Sequence, residues 1–211
     1  MNKTSFLKKN LMRMKALLHI FYYPQVKIEF PIDILKQYID CKWNLPKDYK
    51  ICSPDNTVDK QAWADLLNSD GEFGIWNKKR VEEEVISHMI TQDAASLLYY
   101  KDKLIGCSST MRDINSKIKI GIGMFLLLEK SHRSKKGLSF ALTFRTLSFF
   151  ARENFVKAFA YTDPHRLSAL YLYLSNGIKP KYNSISSIFQ WYMIKKRLNP
   201  LLKRKKRKNG E

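Results

Sequence analysis

Residues 118–139 read IKIGIGMFLLLEKSHRSKKGLS. Ile118–Leu128 is the most apolar stretch of the chain and reads as a central strand, because a strand covered on both faces has no reason to alternate. A turn carrying Arg133, Lys135 and Lys136 follows, and Gly137–Arg152 then places Phe140, Phe144, Leu147 and Ala151 at helical steps. Strand, basic turn and helix start in succession bring free amides and the positive end of the helix dipole beside three cations. That suits a phosphate or pyrophosphate, and it equally suits an ordinary turn with solvated lysines.

Outward from this stretch the punctuation is that of an α/β chain. Downstream, Lys157–Thr162 alternates as a strand, Pro164–Ser175 reads as a helix closed by Asn176-Gly177, and Ser187–Ile194 reads as a last strand. Upstream, Ala95–Tyr100 and Lys103–Met111 form a hairpin around Lys101-Asp102. Helices are expected over Val58–Asn68 and over Asn77–Gln92, the second opened by Asn77, and a short strand over Tyr49–Cys52. The predicted order is β-α-α-β-β-β-α-β-α-β.

The 211 residues are 45% hydrophobic and 13% aromatic, which excludes a disordered or collagen-like chain. Cys41, Cys52 and Cys107 form no Cys-x-x-Cys pair and no disulfide set, so a reducing cytoplasm is the expected location. His19, His88, His132 and His165 show no ligand spacing, and no metal is expected. No apolar run approaches the roughly 20 residues of a membrane span.

The formal charge of +19 is concentrated at the ends: residues 1–27 carry +6, residues 195–211 carry +8, and the long middle only +5. A nucleic-acid-binding domain would place its basic stripe on the fold itself. Leu7, Leu11, Met14, Leu18 and Phe21 make a basic amphipathic helix of residues 6–21, suited to an anionic membrane surface or to covering the chain's own core. The run Lys203–Lys208 reads as part of a disordered tail, with weak membrane or RNA contact as its one possible role beyond solubility.

Two motifs then carry a resemblance. Arg133 to Ser139, followed by Arg166, Ala169, Tyr173, Gly177 and Ile178, resembles the GNAT superfamily of acetyl-CoA-dependent N-acyltransferases, whose acyl-CoA loop reads Arg/Gln-x-x-Gly-x-Gly/Ala. The resemblance covers about residues 49–195, leaving 1–48 as a basic extension and 196–211 as the tail. It departs from the family pattern in one extra residue between Arg133 and Gly137, in Ser139, in Arg166 where Asn is common, and in Ile178 where Phe is common.

The resemblance implies a single domain with a mixed, mostly antiparallel sheet splayed at an acyl-CoA cleft and helices on both faces. Amides of Ser134, Lys135, Lys136, Gly137, Leu138 and Ser139, helped by Arg133 and with Arg166 as a further contact, would hold the CoA pyrophosphate of acetyl-CoA or another short acyl donor. The backbone near Leu126 and Leu128 would pair with the pantetheine. Tyr173 would protonate the departing thiolate, its other reading being a core aromatic. The central strand begins without a carboxylate, so Glu129 and Glu72 are equal candidates for a base, beside a water chain or an amine that needs none. The acceptor, a small-molecule or protein amine, would meet the loop Ser69–Trp76, with Asp70 and Glu72 attracting the cation and Phe73 and Trp76 covering its body. The other reading of Trp76 is a plug in the core. Beside the enzyme stands a non-catalytic protein of the same fold that uses its basic ends to bind membrane or RNA.

Overall fold

The computed structural model describes residues 25–31, 44–55, 57–135 and 137–209. The chain divides into a larger unit, 29–160, and a smaller one that combines 1–28 with 161–211. Strand β1 (Val26–Phe30) and strand β6 (Lys157–Thr162) cross that division. The basic helix expected at residues 6–21 lies outside the described residues.

In the larger unit β2 (Tyr49–Cys52), β3 (Ala95–Tyr100), β4 (Lys103–Arg112) and β5 (Ile120–Leu128) are antiparallel neighbours in that order, and β6 runs parallel beside β5. The α/β class and the mixed, mostly antiparallel sheet are as the sequence implies. Helix α1 (Lys60–Ser69) starts where the Asp59 carboxylate accepts from the Gln61 and Ala62 amides. Helix α2 (Lys78–Glu84) starts where Asn77 accepts from the Arg80 amide. It is shorter than predicted, because Val85 leaves the helical region at φ −120° and two short 3-10 turns carry the chain to Ala94.

Alternation along the strands sorts the core into two faces. Trp63, Leu67, Trp76 and Val81 pack on Leu97, Leu104, Cys107 and Leu127. On the opposite face Leu138 and Leu142 of helix α3 (Leu138–Arg152) pack on Leu98, Ile105 and Leu128. Leu104 and Cys107 share a face because the β3–β4 register slips at Leu98/Tyr99, which leaves Ile105 as an extra residue. Gly121 of β5 is required by packing, since a Cβ there would stand 2.3 Å from the ring of the fully buried Phe150. Phe30, Phe149 and Phe155 surround that ring, so Gly121→Ala is expected to cost ~1–3 kcal/mol, read as a lower denaturant midpoint with unchanged slope.

Two sequence readings are corrected here. Val26–Phe30, placed in the basic extension, is a strand whose Val26, Ile28 and Phe30 are buried while Lys27 and Glu29 are partly exposed. Ser187–Ile194, read as a strand, belongs to helix α5 (Ile185–Asn209), which also continues through the stretch expected to be a disordered tail. Ser187, Trp191, Ile194 and Leu198 recur at steps of four, three and four, a helical stripe that a short window of aromatic residues hides. In the smaller unit α5 packs on helix α4 (Leu167–Leu174), and β7 (Lys179–Lys181) lies between them in sequence. Among the described residues no helix is long and apolar enough to cross a membrane.

Candidate active site

Strand β5 is the origin of the candidate site. It pairs with β4 on both sides of a register slip, at Gly121–Met124 and at Leu127–Leu128, whereas its ladder to β6 ends at Gly123↔Ala160. Met124–Leu128 therefore run on without a β6 partner, and the larger unit's sheet opens on that side of β5. The β4–β5 register slips by one residue between Cys107 and Ser109, and Phe125 at the slip has φ +48°. An aromatic residue in the left-handed region is held there by its surroundings at a cost of ~1–3 kcal/mol. Here Phe73 and Trp76 meet the Phe125 ring edge-on at 6.0 and 5.0 Å, and its carbonyl accepts from the Cys107 thiol at 3.4 Å.

Beyond Leu128 the chain makes a 3-10 turn at Lys130–His132 and enters α3 through Gly137 at φ +92°, a conformation that favours glycine. Among the described residues no side chain caps α3, so the amides of its first turn are available to an anion.

Solved structures similar in fold include a GCN5-related N-acetyltransferase from Sphaerobacter thermophilus, at TM-score 0.57 and 15% identity over 78% of this chain and 52% of that one. A tandem GNAT protein from the clavulanic acid biosynthesis pathway is similar at TM-score 0.54 and 12% identity, over 75% and 50% of the two chains. The chain has the GNAT fold. The NatC complex bound to Gag peptide and CoA is similar at TM-score 0.50 and 16% identity, over 60% and 82%. This chain spans about half the length of the first two. No protein-family model matches it, and no curated protein matches it in sequence.

Within the GNAT fold the predicted donor residues divide by what their atoms already do. Ser134 and Lys135 are exposed, and Ser139 is half-buried. Leu138 is fully buried in the α3 core, which leaves its amide as the group that can serve a ligand. Lys136 lies outside the described residues. Arg133 is committed elsewhere: its Nε donates to the Leu128 carbonyl at 2.8 Å and its Nη2 to Asp70 Oδ1 at 2.8 Å. Arg133 thus ties the turn to β5 and to Asp70 while its side chain stays 41% exposed, and the Leu128 carbonyl is already taken. Leu126 is half-buried against the core cluster that contains Leu98, Ile105 and Leu138.

The acceptor-side residues change meaning in the same way. The Asp70 carboxylate is 2% exposed and lies between Arg133 and Lys130, the latter at 3.6 Å, so it neutralises the donor loop and is not an open lure for a cationic amine. Trp76 is buried, its indole N–H donates to the Phe73 carbonyl, and Asn68 bonds both its backbone amide and its carbonyl. The Arg80 guanidinium lies over its ring at 4.2 Å. The reading of Trp76 as a cover for substrate is therefore corrected to the core plug. Phe73 is half-buried against Phe125, and Glu72 is exposed between Gly71 at φ +72° and Gly74 at φ +86°. Glu129 pairs with Lys103 at 2.9 Å. His132 shares a hydrogen bond of 2.9 Å with the Tyr49 hydroxyl and packs on Tyr49 and Tyr100, which fixes the turn to β2 and β3.

Asn68, Lys130 and the strained Phe125 were missed. The partners of Lys130 and Phe125 lie far off in sequence, and Asn68 meets Trp76 across the loop that separates them, so only the folded contacts reveal them.

In the smaller unit Tyr173 lies near the end of α4 and is buried. Burial pushes its phenol up to about 12, and the Arg166 guanidinium opposes this. The chain leaves α4 with the Ile178 amide on the Tyr173 carbonyl, the Gly177 amide on Leu174, and Gly177 at φ +79°. This is a Schellman helix end, and the spacing from Tyr173 to Gly177 and Ile178 is the spacing that such an end requires. Among the described residues no group of three or more His, Cys, Asp or Glu could hold a metal ion.

Proposed function

We propose that the chain is an acyl-CoA-dependent N-acyltransferase that moves an acetyl or other short acyl group to an amine. The observation that carries this reading is β5, whose Met124–Leu128 edge opens where the ladder to β6 stops and leads into the uncapped start of α3. An unpaired strand edge can bond the amides of an extended ligand arm, and free helix amides can bond its pyrophosphate. A pantetheine joined to a pyrophosphate has that pattern. Leu126 is assigned to the arm, and the amides of Gly137, Leu138 and Ser139 with Lys135 to the phosphates.

A neutral amine would attack the thioester carbonyl, forming the C–N bond as the C–S bond breaks. Tyr173 is assigned the proton donor to the departing thiolate, on its place in the motif and on a phenol that stays protonated at neutral pH. The amine's own proton goes to water or to a carboxylate, Glu72 or Glu129, of which Glu129 pairs with Lys103 as Asp70 pairs with Arg133. Those two occupied carboxylates also favour a second reading, a GNAT-fold protein that binds acyl-CoA without turnover.

Calorimetric titration with acetyl-CoA tests the donor site. Stoichiometric binding that persists at raised salt is expected. Lys135→Ala combined with Lys136→Ala should weaken it roughly 3- to 30-fold, as for two charge contacts of ~0.3–1 kcal/mol each. Arg133 must stay intact in that control, because its loss would disturb the Asp70 pair. Absence of binding overturns both readings, and binding without turnover on any amine selects the second.

A further inference from the structure

Helix α5 carries two apolar stripes where its packing uses one. Ser187, Trp191, Ile194 and Leu198 form the inner stripe. Ile185, Ile188, Phe189 and Tyr192, with Met193 beside them, recur at steps of three and one on the opposite side of the same turns. They are open to solvent: Ile185 is 87% exposed, Phe189 65% and Tyr192 62%. Tyr182, just before the helix, is also exposed. Large side chains gathered in this way mark a contact surface, unlike the isolated apolar residues found on every protein.

The charge of the same helix states what that surface meets. Ile185–Asn209 contains nine Lys and Arg and no Asp or Glu. Lys195, Lys196 and Arg197 follow the apolar stripe directly and are exposed, and Lys196 continues it one turn after Tyr192. A water-facing partner of ordinary composition would not call for nine cations on one helix whose sequence holds no acid. An anionic phospholipid surface calls for both parts, acyl chains for the aliphatic and aromatic side chains and phosphates for the basic ones. Single-stranded RNA would answer the charge and could stack on Phe189 and Tyr192, but Ile185, Ile188 and Met193 offer it nothing to stack on. The helix is far too charged to span a bilayer, so it lies in the interface plane.

We propose that α5 docks the protein on an anionic membrane surface, with Ile185, Ile188, Phe189 and Tyr192 entering the headgroup boundary and Lys195, Lys196 and Arg197 on lipid phosphates. The inference rests on α5 alone and stands whether or not the chain transfers acyl groups.

Co-sedimentation of the full chain with phosphatidylcholine vesicles, with and without phosphatidylglycerol, tests it. The protein should pellet only with the anionic vesicles, at roughly 0.15 M salt, and less so as salt rises. Ile188→Ser/Phe189→Ser/Tyr192→Ser keeps every charge and alters only exposed side chains. Its circular dichroism and melting temperature should match the parent, and its vesicle affinity should fall at least about tenfold. Lys195→Gln/Lys196→Gln/Arg197→Gln should also lose affinity and flatten the salt dependence. Triple-Ser binding equal to the parent overturns the proposal by leaving charge alone responsible. Equal pelleting with neutral vesicles, or displacement from anionic vesicles by a single-stranded RNA, overturns it as well. So does a parent dimer in light scattering that the triple-Ser variant converts to monomer, since the stripe would then be an interface between copies.

Discussion

Tyr173→Phe is expected to lower kcat by about 10²-fold or more while leaving the affinity for acyl-CoA within about a factor of two. The substitution removes one hydroxyl from a buried ring and keeps its shape, so loss of fold is not the anticipated cause. Burial raises the phenol to about 12, and a raised acid pKa keeps the group protonated throughout the neutral range. A pH–rate profile should therefore show no alkaline limb from Tyr173 below about pH 11. The same shift bears on stability. The folded state holds this proton more tightly than an unfolded chain, whose tyrosine titrates near 10, so the contribution is complete below about pH 10 and lost as pH rises toward 12. Single-turnover kinetics with the parent and Tyr173→Phe separate the outcomes. An unchanged rate returns Tyr173 to the role of a core aromatic that closes α4.

Trp76→Ala is expected to destabilise the fold by about 3–5 kcal/mol, the usual cost of deleting a buried large aromatic. For a chain of 211 residues this lowers Tm by roughly 6–20 °C. The indole meets Phe125 edge-on, supports the Arg80 guanidinium, and helps hold Phe125 at positive φ, so its loss also releases the strained residue in β5. Were Trp76 a cover for the acceptor, truncation would raise the acceptor's KM and leave Tm nearly unchanged. Trp76→Phe, which keeps an aromatic ring, should recover part of the lost stability.

The elements that the sequence made legible are those whose signal is local. The β3–β4 hairpin, β5, α3 and β6 are marked by unbroken apolar runs, tight turns and helical steps within one window. Helix α5 was misread because Ser187–Ile194 is rich in aromatic and β-branched residues, and its buried stripe becomes clear only when Leu198 is included. Strand β1 was missed because its five residues follow a basic segment whose periodicity is helical. The candidate site shows the same division. Gly137 and Gly177 were legible because a left-handed backbone favours glycine, the one residue without a Cβ to clash. The charged residues were not, since Asp70 finds Arg133 and Lys103 finds Glu129 only through the tertiary fold.

The bond from Arg133 to Asp70 also constrains how this chain can drift. Loss of the arginine takes from a carboxylate at 2% exposure its nearer described cation, at 2.8 Å against 3.6 Å for Lys130. Loss of the aspartate leaves two cations crowded in a turn that is already basic. Either single change passes through a less stable intermediate, so positions 70 and 133 are free to change mainly as a pair. A lineage that reshapes the loop between α1 and α2 thus inherits a matching constraint on the loop after β5, and the two evolve as one block.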